Sequence, residues 1–269
     1  GSRGLTRRRL DAEIVRRGLV SSRAEAEEAV RSGRVTVSGV RATKSSTLVD
    51  DASAVVLGGH DRRYASRAGI KLAAAIERFG IDVSGRMCLD AGASTGGFTD
   101  CLLQAGAARV LAVDVGYGQL AWELRTDDRV TVWERTNVRT LTPEAMPFAP
   151  DLVVADLSFI SLRLVLPTLT AVANRGADLI TLVKPQFEAR PEQVGSGGVV
   201  RDPRVWREVL DAVVEAGHRE DLAVGGAMAS PLPGPAGNVE FLLHLCRGQD
   251  GDVDAMLVAA VGEGEAVAS

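Results

Sequence analysis

Three lysines stand among the 31 basic side chains of this 269-residue chain: Lys44, Lys71 and Lys184. A sequence that uses arginine nearly everywhere else keeps lysine where a compact amine able to lose its proton is wanted, a role closed to guanidinium. Lys184 and Asp156 each directly follow an apolar strand-like run, Lys71 sits in a helical stretch just ahead of those runs, and Glu240 opens the last one. Two amines interleaved with two carboxylates suit methylation of a ribose hydroxyl. The alcohol is a poor nucleophile and must lose its proton as it attacks. A neutral Lys184 can accept that proton as general base, cationic Lys71 nearby would depress its neighbour's pKa, and the carboxylates would orient both amines and the hydroxyl. In-line placement supplies much of the remaining acceleration, and the reaction needs no metal. Each of the four alone reads better as an ordinary ion-pair partner. That structural reading stays open for the set as well.

The seat for an activated methyl reads from residues 87–98, where an apolar strand ends at Asp90 and a glycine turn (Gly92, Ala93, Ser94, Thr95, Gly96, Gly97) leads into a helix from about Phe98. This is the first strand-to-helix turn of a doubly wound sheet, where backbone approaches ligand closely. The spacing lacks the third glycine of the dinucleotide fingerprint and the GK[ST] ending of a phosphate loop. Asp90 would repel a pyrophosphate but suits a cationic or amino-bearing ligand. The next strand ends in Asp114-Val115, at the distance where such folds place a carboxylate on ribose hydroxyls. Asn137 follows the third strand, where a polar side chain could recognise adenine. Together with Asp156 these residues suggest an S-adenosylmethionine site; a tight turn that binds nothing is the alternative.

The elements needed to position these groups alternate regularly: strand 86–91, helix 98–105, strand 109–113, helix 117–125, strand 130–134, strand 151–155, helix 161–173, strand 178–183. Such alternation argues a mostly parallel α/β sheet with ligands at the carboxyl ends of its strands. Ser66 to Phe79 precedes it as a helix. A glycine-rich stretch at 195–198, expected to be mobile, a helix over 202–216 and strands over 221–228 and 237–245 follow it, and a tail with at most a short helix closes the chain. The organisation expected is 1–58 as a small basic domain, 59–65 as linker, 66–250 as the sheet domain and 251–269 as tail.

Hydrophobic residues make up 46% and charged residues 25%, an ordinary globular balance. No apolar run reaches membrane-spanning length. No secretory leader reads from the start, and Gly1-Ser2 has the look of a cloning remnant, so a cytoplasmic location is expected. Cys88, Cys101 and Cys246 lack paired spacing and read as reduced core thiols; no metal site is expected. The net charge of −4 hides an asymmetry. Residues 1–49 carry eleven basic against five acidic side chains, a net of +6, on an acidic remainder. Two short helices (6–18 and 22–32) and strands near 35–37 and 54–57 organise this head. Its arginines, Arg7, Arg8, Arg9, Arg16, Arg17 and Arg23, together with Arg67, are the candidates for a polyanion. A helical hairpin used for protein contacts is the competing reading.

Arg9-Leu10-Asp11, Arg17-Gly18-Leu19, Ser22-Arg23, Ala26, Gly33 and Val35-x-Val37-x-Gly39 resemble an S4 RNA-binding domain, which implies docking on structured RNA through its phosphates. The whole chain resembles the TlyA (haemolysin A-like) family of ribosomal RNA 2′-O-methyltransferases, related in the catalytic domain to FtsJ-type enzymes. The resemblance rests on Ser66-Arg67 with Lys71-Leu72, the run Leu89 to Thr99, Asp114 to Leu120, Asp156 to Leu162, Lys184-Pro185-Gln186-Phe187-Glu188 and Gly237-Asn238-Val239-Glu240. It implies an S4 domain followed by a Rossmann-like class I methyltransferase with a seven-stranded sheet. It also implies S-adenosyl-L-methionine as cofactor, a Lys-Asp-Lys-Glu tetrad on Lys71, Asp156, Lys184 and Glu240, and cytidine 2′-hydroxyls of ribosomal RNA in ribosomal subunits as substrate. A monomer or weak homodimer is expected. Two departures stand out: Ala68 where the family carries glycine, and Ala189-Arg190-Pro191-Glu192 where it continues with a glycine and a basic residue. Other acceptors, or a non-catalytic assembly role, are the alternatives; nothing in the chain supports direct membrane lysis.

Overall fold

The computed structural model describes residues 7–31, 34–38, 40–50, 53–57 and 64–268. The chain forms two units, Gly1–Arg63 and Tyr64–Ser269. The predicted linker lies mostly outside the described residues, as do Gly33 and Gly39.

The first unit contains β1 (Arg8–Arg9), α1 (Leu10–Arg16), α2 (Arg23–Arg31), β2 (Val35–Val37), β3 (Val40–Arg41), β4 (Leu48–Val49) and β5 (Val55–Leu57). β2 is flanked by β3 and β5, and β1 pairs with β4, all antiparallel. Leu10 and Ile14 of α1 and Ala26, Ala29 and Val30 of α2 close a small core with Val35. The helices are shorter than their sequence pattern. Gly18, at φ +68, turns the chain just beyond α1, a conformation that costs glycine little.

The second unit contains α3 (Ala68–Phe79), β6 (Met87–Ala91), α4 (Gly97–Gln104), β7 (Arg109–Val113), α5 (Trp122–Arg125), β8 (Val130–Trp133), β9 (Leu152–Ala155), α6 (Leu166–Val172), β10 (Asp178–Val183), α7 (Pro185–Glu188), α8 (Pro203–Arg219), β11 (Ala223–Ala229), β12 (Phe241–Cys246) and α9 (Val253–Ala268). Its seven strands run in the order β11-β12-β10-β9-β6-β7-β8. β6 to β10 are parallel; β12 runs antiparallel to both its neighbours. Alternate residues face opposite layers: Leu89, Leu111, Val153 and Leu179 pack with Trp206 and Phe241, while Cys88, Val110, Val154 and Ile180 pack with Leu72, Leu102 and Leu242. The strand order reverses between β6 and β9, the place where such sheets open a crevice at their carboxyl edge.

Several stretches depart from the expected elements. Of the helix at 117–125 only the last turn forms, because Gly116 and Gly118 (φ +69) hold the preceding residues in a loop. The helix at 161–173 splits into a 3-10 turn, Leu162–Leu164, and α6. The final strand begins at Phe241 rather than 237, since residues 230–240 fold back in a proline-rich loop in which Ser230 N–H donates to Glu240 O and Gly234 N–H to Asn238 O. The glycine stretch 195–198 includes a 3-10 turn tied down by buried Asn238, which accepts from Val200 N–H and donates to Gly198 O, each at 2.9 Å. Residues 253–268, expected as part of a tail, form a 16-residue helix that packs on β11 and α8 and buries Leu257 and Ala260.

Candidate active site

Two adjoining hollows open at the carboxyl edge of the sheet. One is lined by the turn residues Gly92, Ala93, Ser94, Thr95, Gly97 and Phe98, by Ser66 and Ala68, and by Asp156. The other shares Ala93 and Ser94 and continues past Asp114, Gly116 and Gln119 to Glu134. Gly92 (φ +91) passes so close to β9 that a Cβ there would collide with the carbonyl oxygen of Asp156, and a Cβ at Gly97 would strike Ser66 Oγ. The glycines therefore serve close approach of backbone to backbone at this crevice.

The carboxylates around the turn differ in their surroundings. Asp114 stands at the end of β7 and accepts from Ser94 N–H at 2.8 Å and Gly116 N–H at 2.6 Å, so it holds the turn while it lines the second hollow. Glu134 accepts from Gly118 N–H and from Arg125, whose guanidinium keeps its pKa below the ordinary value. Asp90 is fully buried and lines neither hollow. Thr99 Oγ1 donates to its Oδ2 at 2.7 Å, while Oδ1 has no partner among the described residues. Burial pushes its pKa up to about 7 against that hydrogen bond, with the charges of Asp156 and Asp114 adding to the rise. Val115 is 70% exposed and Asn137 is exposed, both outside the hollows; Asn137 Oδ1 caps the turn Val138–Thr140 by accepting from Arg139 N–H. Burial, a second turn and a cap claim these three, and only their backbone context was visible in the sequence.

The four chemistry-bearing residues form two ion pairs. Lys71 Nζ donates to Glu240 Oε2 at 2.5 Å, with both side chains buried. Lys184 Nζ lies 2.6 Å from Asp156 Oδ1 and makes its aligned hydrogen bond to Ser158 Oγ at 3.0 Å. Each is set by local structure. Gly69 lets α3 seat its first turn against the glycine turn, since a Cβ there would collide with the Tyr64 ring and Gly97 O, and Lys71 follows two residues later. Pairing of Val183 with Phe241 puts Lys184 and Glu240 at the next, neighbouring positions of the β10–β12 edge. Asp156, directly after β9, belongs to the second pair and to the wall of the first hollow. Ala68 lines that hollow at its rim; the glycine for which there is no room to substitute is Gly69, which this chain keeps. The other departure, residues 189–192, lies outside both hollows in a turn held by Gln193, which accepts from Arg190 N–H and donates to Glu208. From sequence, Ser66, Gln119 and Ser158 stood only as members of motifs and Glu134 only as the end of strand 130–134, and none was given a place in the site.

In the first unit the candidate RNA-contacting arginines converge on two buried acids. Asp11 is gripped by Arg9 at 2.7 Å and Arg23 at 3.2 Å, Glu13 by Arg16 at 2.6 Å and Arg17 at 2.7 Å, with Arg8 at 3.9 Å. Hydrogen bonds from Arg9 to Asp11 and from Arg16 to Glu13 hold both acids down at about 2. Arg7 and Arg67 are exposed. Paired guanidinium groups retain further N–H donors, so pairing orients these arginines without exhausting them.

Cys88 and Cys101 are buried and Cys246 is half-buried, none of them in a disulfide. Among the described residues, Asp178, His244 and Cys246 bring one ligand-type atom each within 4.8 Å of one another. Asp178 is already held there by His244 at 2.7 Å and Arg86 at 2.5 Å, at the start of β10, the end away from Lys184. Among the described residues no helix is long and apolar enough to cross a membrane.

A sheet of this order with a glycine turn at its switch point, preceded by a small basic unit, defines a Rossmann-like methyltransferase carrying an S4 domain. Residues 64–247 match the FtsJ-like methyltransferase family and residues 8–56 the S4 domain. A 16S/23S rRNA (cytidine-2′-O)-methyltransferase of Mycobacterium tuberculosis is 55% identical over 89% of this chain and 90% of its own length. Hemolysin A of Brachyspira hyodysenteriae is 37% identical over 88% of this chain and 98% of its own. A solved structure from Streptococcus thermophilus, 38% identical, superposes with a TM-score of 0.78 over 98% of both chains. The chain belongs to the TlyA (haemolysin A-like) family of FtsJ-like methyltransferases.

Proposed function

We propose that this protein transfers a methyl group from S-adenosylmethionine to the 2′-hydroxyl of a cytidine in ribosomal RNA, in the cytoplasm, after its S4 unit docks on the folded RNA. The observation that carries the reading is the dual membership of Asp156, which pairs with Lys184 and also walls the hollow beside the glycine turn. The hollows fit the cofactor. The turn carries no side chain where backbone must come close, Asp114 and Glu134 offer acceptors at the ends of β7 and β8, and the acidic surroundings favour a cationic ligand. When bound, the cofactor supplies an electrophilic methyl on a sulfonium sulfur.

The remaining chemistry belongs to the chain. Lys184 Nζ takes the proton that the ribose hydroxyl gives up, Asp156 and Ser158 aim that amine, and the Lys71–Glu240 pair borders the acceptor from the β12 side. Asp11 and Glu13 hold Arg9, Arg16, Arg17 and Arg23 in fixed directions for phosphate contacts, a role Arg7 and Arg67 share from exposed positions. Unmodified ribosomal subunits incubated with the protein and tritiated cofactor become labelled, and 2′-O-methyl sites map to cytidine by reverse-transcription stops at low nucleotide concentration. Lys184→Ala abolishes labelling while RNA binding persists. A folded, cofactor-binding protein that labels no ribosomal RNA overturns the reading.

A further inference from the structure

The loop after β9 is fastened to the residues after β10 twice. The first fastening is the one described, Lys184 to Asp156 and Ser158. The second lies one helical turn further on. α7 begins at Pro185, directly after Lys184, and ends at Glu188, whose buried carboxylate receives Ser161 Oγ–H and Leu162 N–H, each at 2.5 Å, and Arg163 Nε–H at 3.3 Å. Arg163 Nη2 also donates to the main-chain oxygen of Glu188 at 3.3 Å. Between the two fastenings stands Phe159, at φ +63 and 90% exposed, its ring 5.1 Å from that of Phe187 on α7. A phenylalanine in the left-handed region persists only where its surroundings over-determine it, and here both ends of its loop are tied to the same helical turn.

On the reading that Asp156 and Lys184 act on the acceptor hydroxyl, we infer that Glu188 is a positioning residue for the transfer, clamping the 156–162 loop so that Asp156 and Ser158 meet Lys184 in fixed register. Glu188 touches neither hollow, so it acts through the loop. Its carboxylate is withdrawn from water, which raises its pKa, and accepts donors from three successive residues. Burying a charge to hold three consecutive residues costs solvation that an apolar residue would avoid, and what it gains is geometry. Misplacing a reacting group by about an ångström is enough to lose two orders of magnitude in rate.

The test is Glu188→Gln, which keeps the shape but turns an NH2 toward donors, measured as kcat per cofactor-binding-competent molecule. Wild type and Lys184→Ala run alongside on unmodified ribosomal subunits. Positioning predicts a kcat lower by about 10- to 100-fold, with cofactor Kd and RNA Kd within about threefold of wild type. It also predicts that adding Ser158→Ala costs less in this background than in wild type, because both changes loosen one pair. A kcat within about twofold of wild type, or fully additive effects, overturns the inference, as does a lowered Tm with unchanged kcat per competent molecule. Should Glu188→Gln fail to fold, Ser161→Ala removes one donor and leaves the charge in place: a reduced kcat then supports the clamp and an unchanged one overturns it, at smaller amplitude. Loss of labelling by the wild type strikes the proposed function instead. Hydrogen exchange at the Leu162 amide then decides the clamp on its own: faster in Glu188→Gln if the clamp holds the loop, unchanged if it does not.

Discussion

In the residues before 64, buried carboxylates are each gripped by several guanidinium groups; among the described residues after it, buried carboxylates face a single lysine, a single arginine or no cation at all. Asp11 and Glu13 share at least four arginines and are driven down to about 2. Glu240 has one lysine, Asp156 another, and Asp90 only a threonine hydroxyl, so that burial lifts Asp90 to about 7. Arginine stays charged and spreads its donors over several acceptors, which suits fastening. Lysine is a point charge that can give up its proton, which suits chemistry. The same elements, acid and base, thus build a fastened arginine cluster in one region and, on the proposed function, a reactive edge in the other.

The largest effect should come from exchanging the two cations. Lys184→Arg keeps a positive charge beside Asp156 but cannot give up a proton, and it should lower methyl transfer by about 100- to 10,000-fold, as Lys184→Ala also should. Arg17→Lys in the first unit should leave the rate within about threefold, because Arg16 still holds Glu13. Initial rates on ribosomal subunits decide this, and a Lys184→Arg variant within tenfold of wild type would break the contrast.

Next in size is a pH effect of opposite sign in the two regions. The folded protein holds a proton on Asp90 up to about pH 7 that the unfolded chain releases near its ordinary value of 3.8. Its contribution to stability is therefore complete below about pH 4 and is lost as pH rises through about 7, on the order of 4 kcal/mol in all. All three tryptophans lie beyond residue 64, so urea unfolding followed by tryptophan fluorescence reads this region; Asp90→Asn should flatten its pH dependence between about 4 and 7. Asp11 and Glu13, lowered to about 2, stabilise above their ordinary values and lose that contribution as pH falls through about 2. At neutral pH, Glu13→Gln should cost the first unit about 2 kcal/mol, less than a fully dry ion pair, because its arginines remain partly solvated. Hydrogen exchange of the α1 amides measures it.

Sequence carried the candidate site further than the first unit for a physical reason. Lys184 and Asp156 end strands, Gly92 and Gly97 sit in a turn, and a parallel sheet gathers its strand ends at one edge whatever the loop details. The residues that proved harder depend on what packs beside them. Asp90 reads like a ligand-facing carboxylate until Thr99 of α4 is seen donating to it. Asn137 reads like a base-recognising amide until it is found capping its own turn. The arginines in and beside α1 and α2 form a charge pattern in sequence, but which of them turn inward is decided by Asp11 and Glu13, whose burial no charge count reveals. The helix Val253–Ala268 carries few charges and weak periodicity, so its packing on β11 could not be told from a frayed end.

The smallest prediction isolates burial from pairing. Glu28 with Arg31 on α2, and Glu215 with Arg219 on α8, are helical ion pairs whose partners are all well exposed, one pair in each region. If the contrast between the regions arose from arginine as such, removing these acids would cost the two regions different amounts. If burial sets the value, Glu28→Ala and Glu215→Ala should each change stability by less than about 0.5 kcal/mol, since water screens the pair and alanine is the better helix former. Parallel urea titrations resolve a difference of that size. A loss above about 1 kcal/mol for Glu28→Ala alone would mean that the first unit draws strength from its charge pattern as a whole rather than from Asp11 and Glu13.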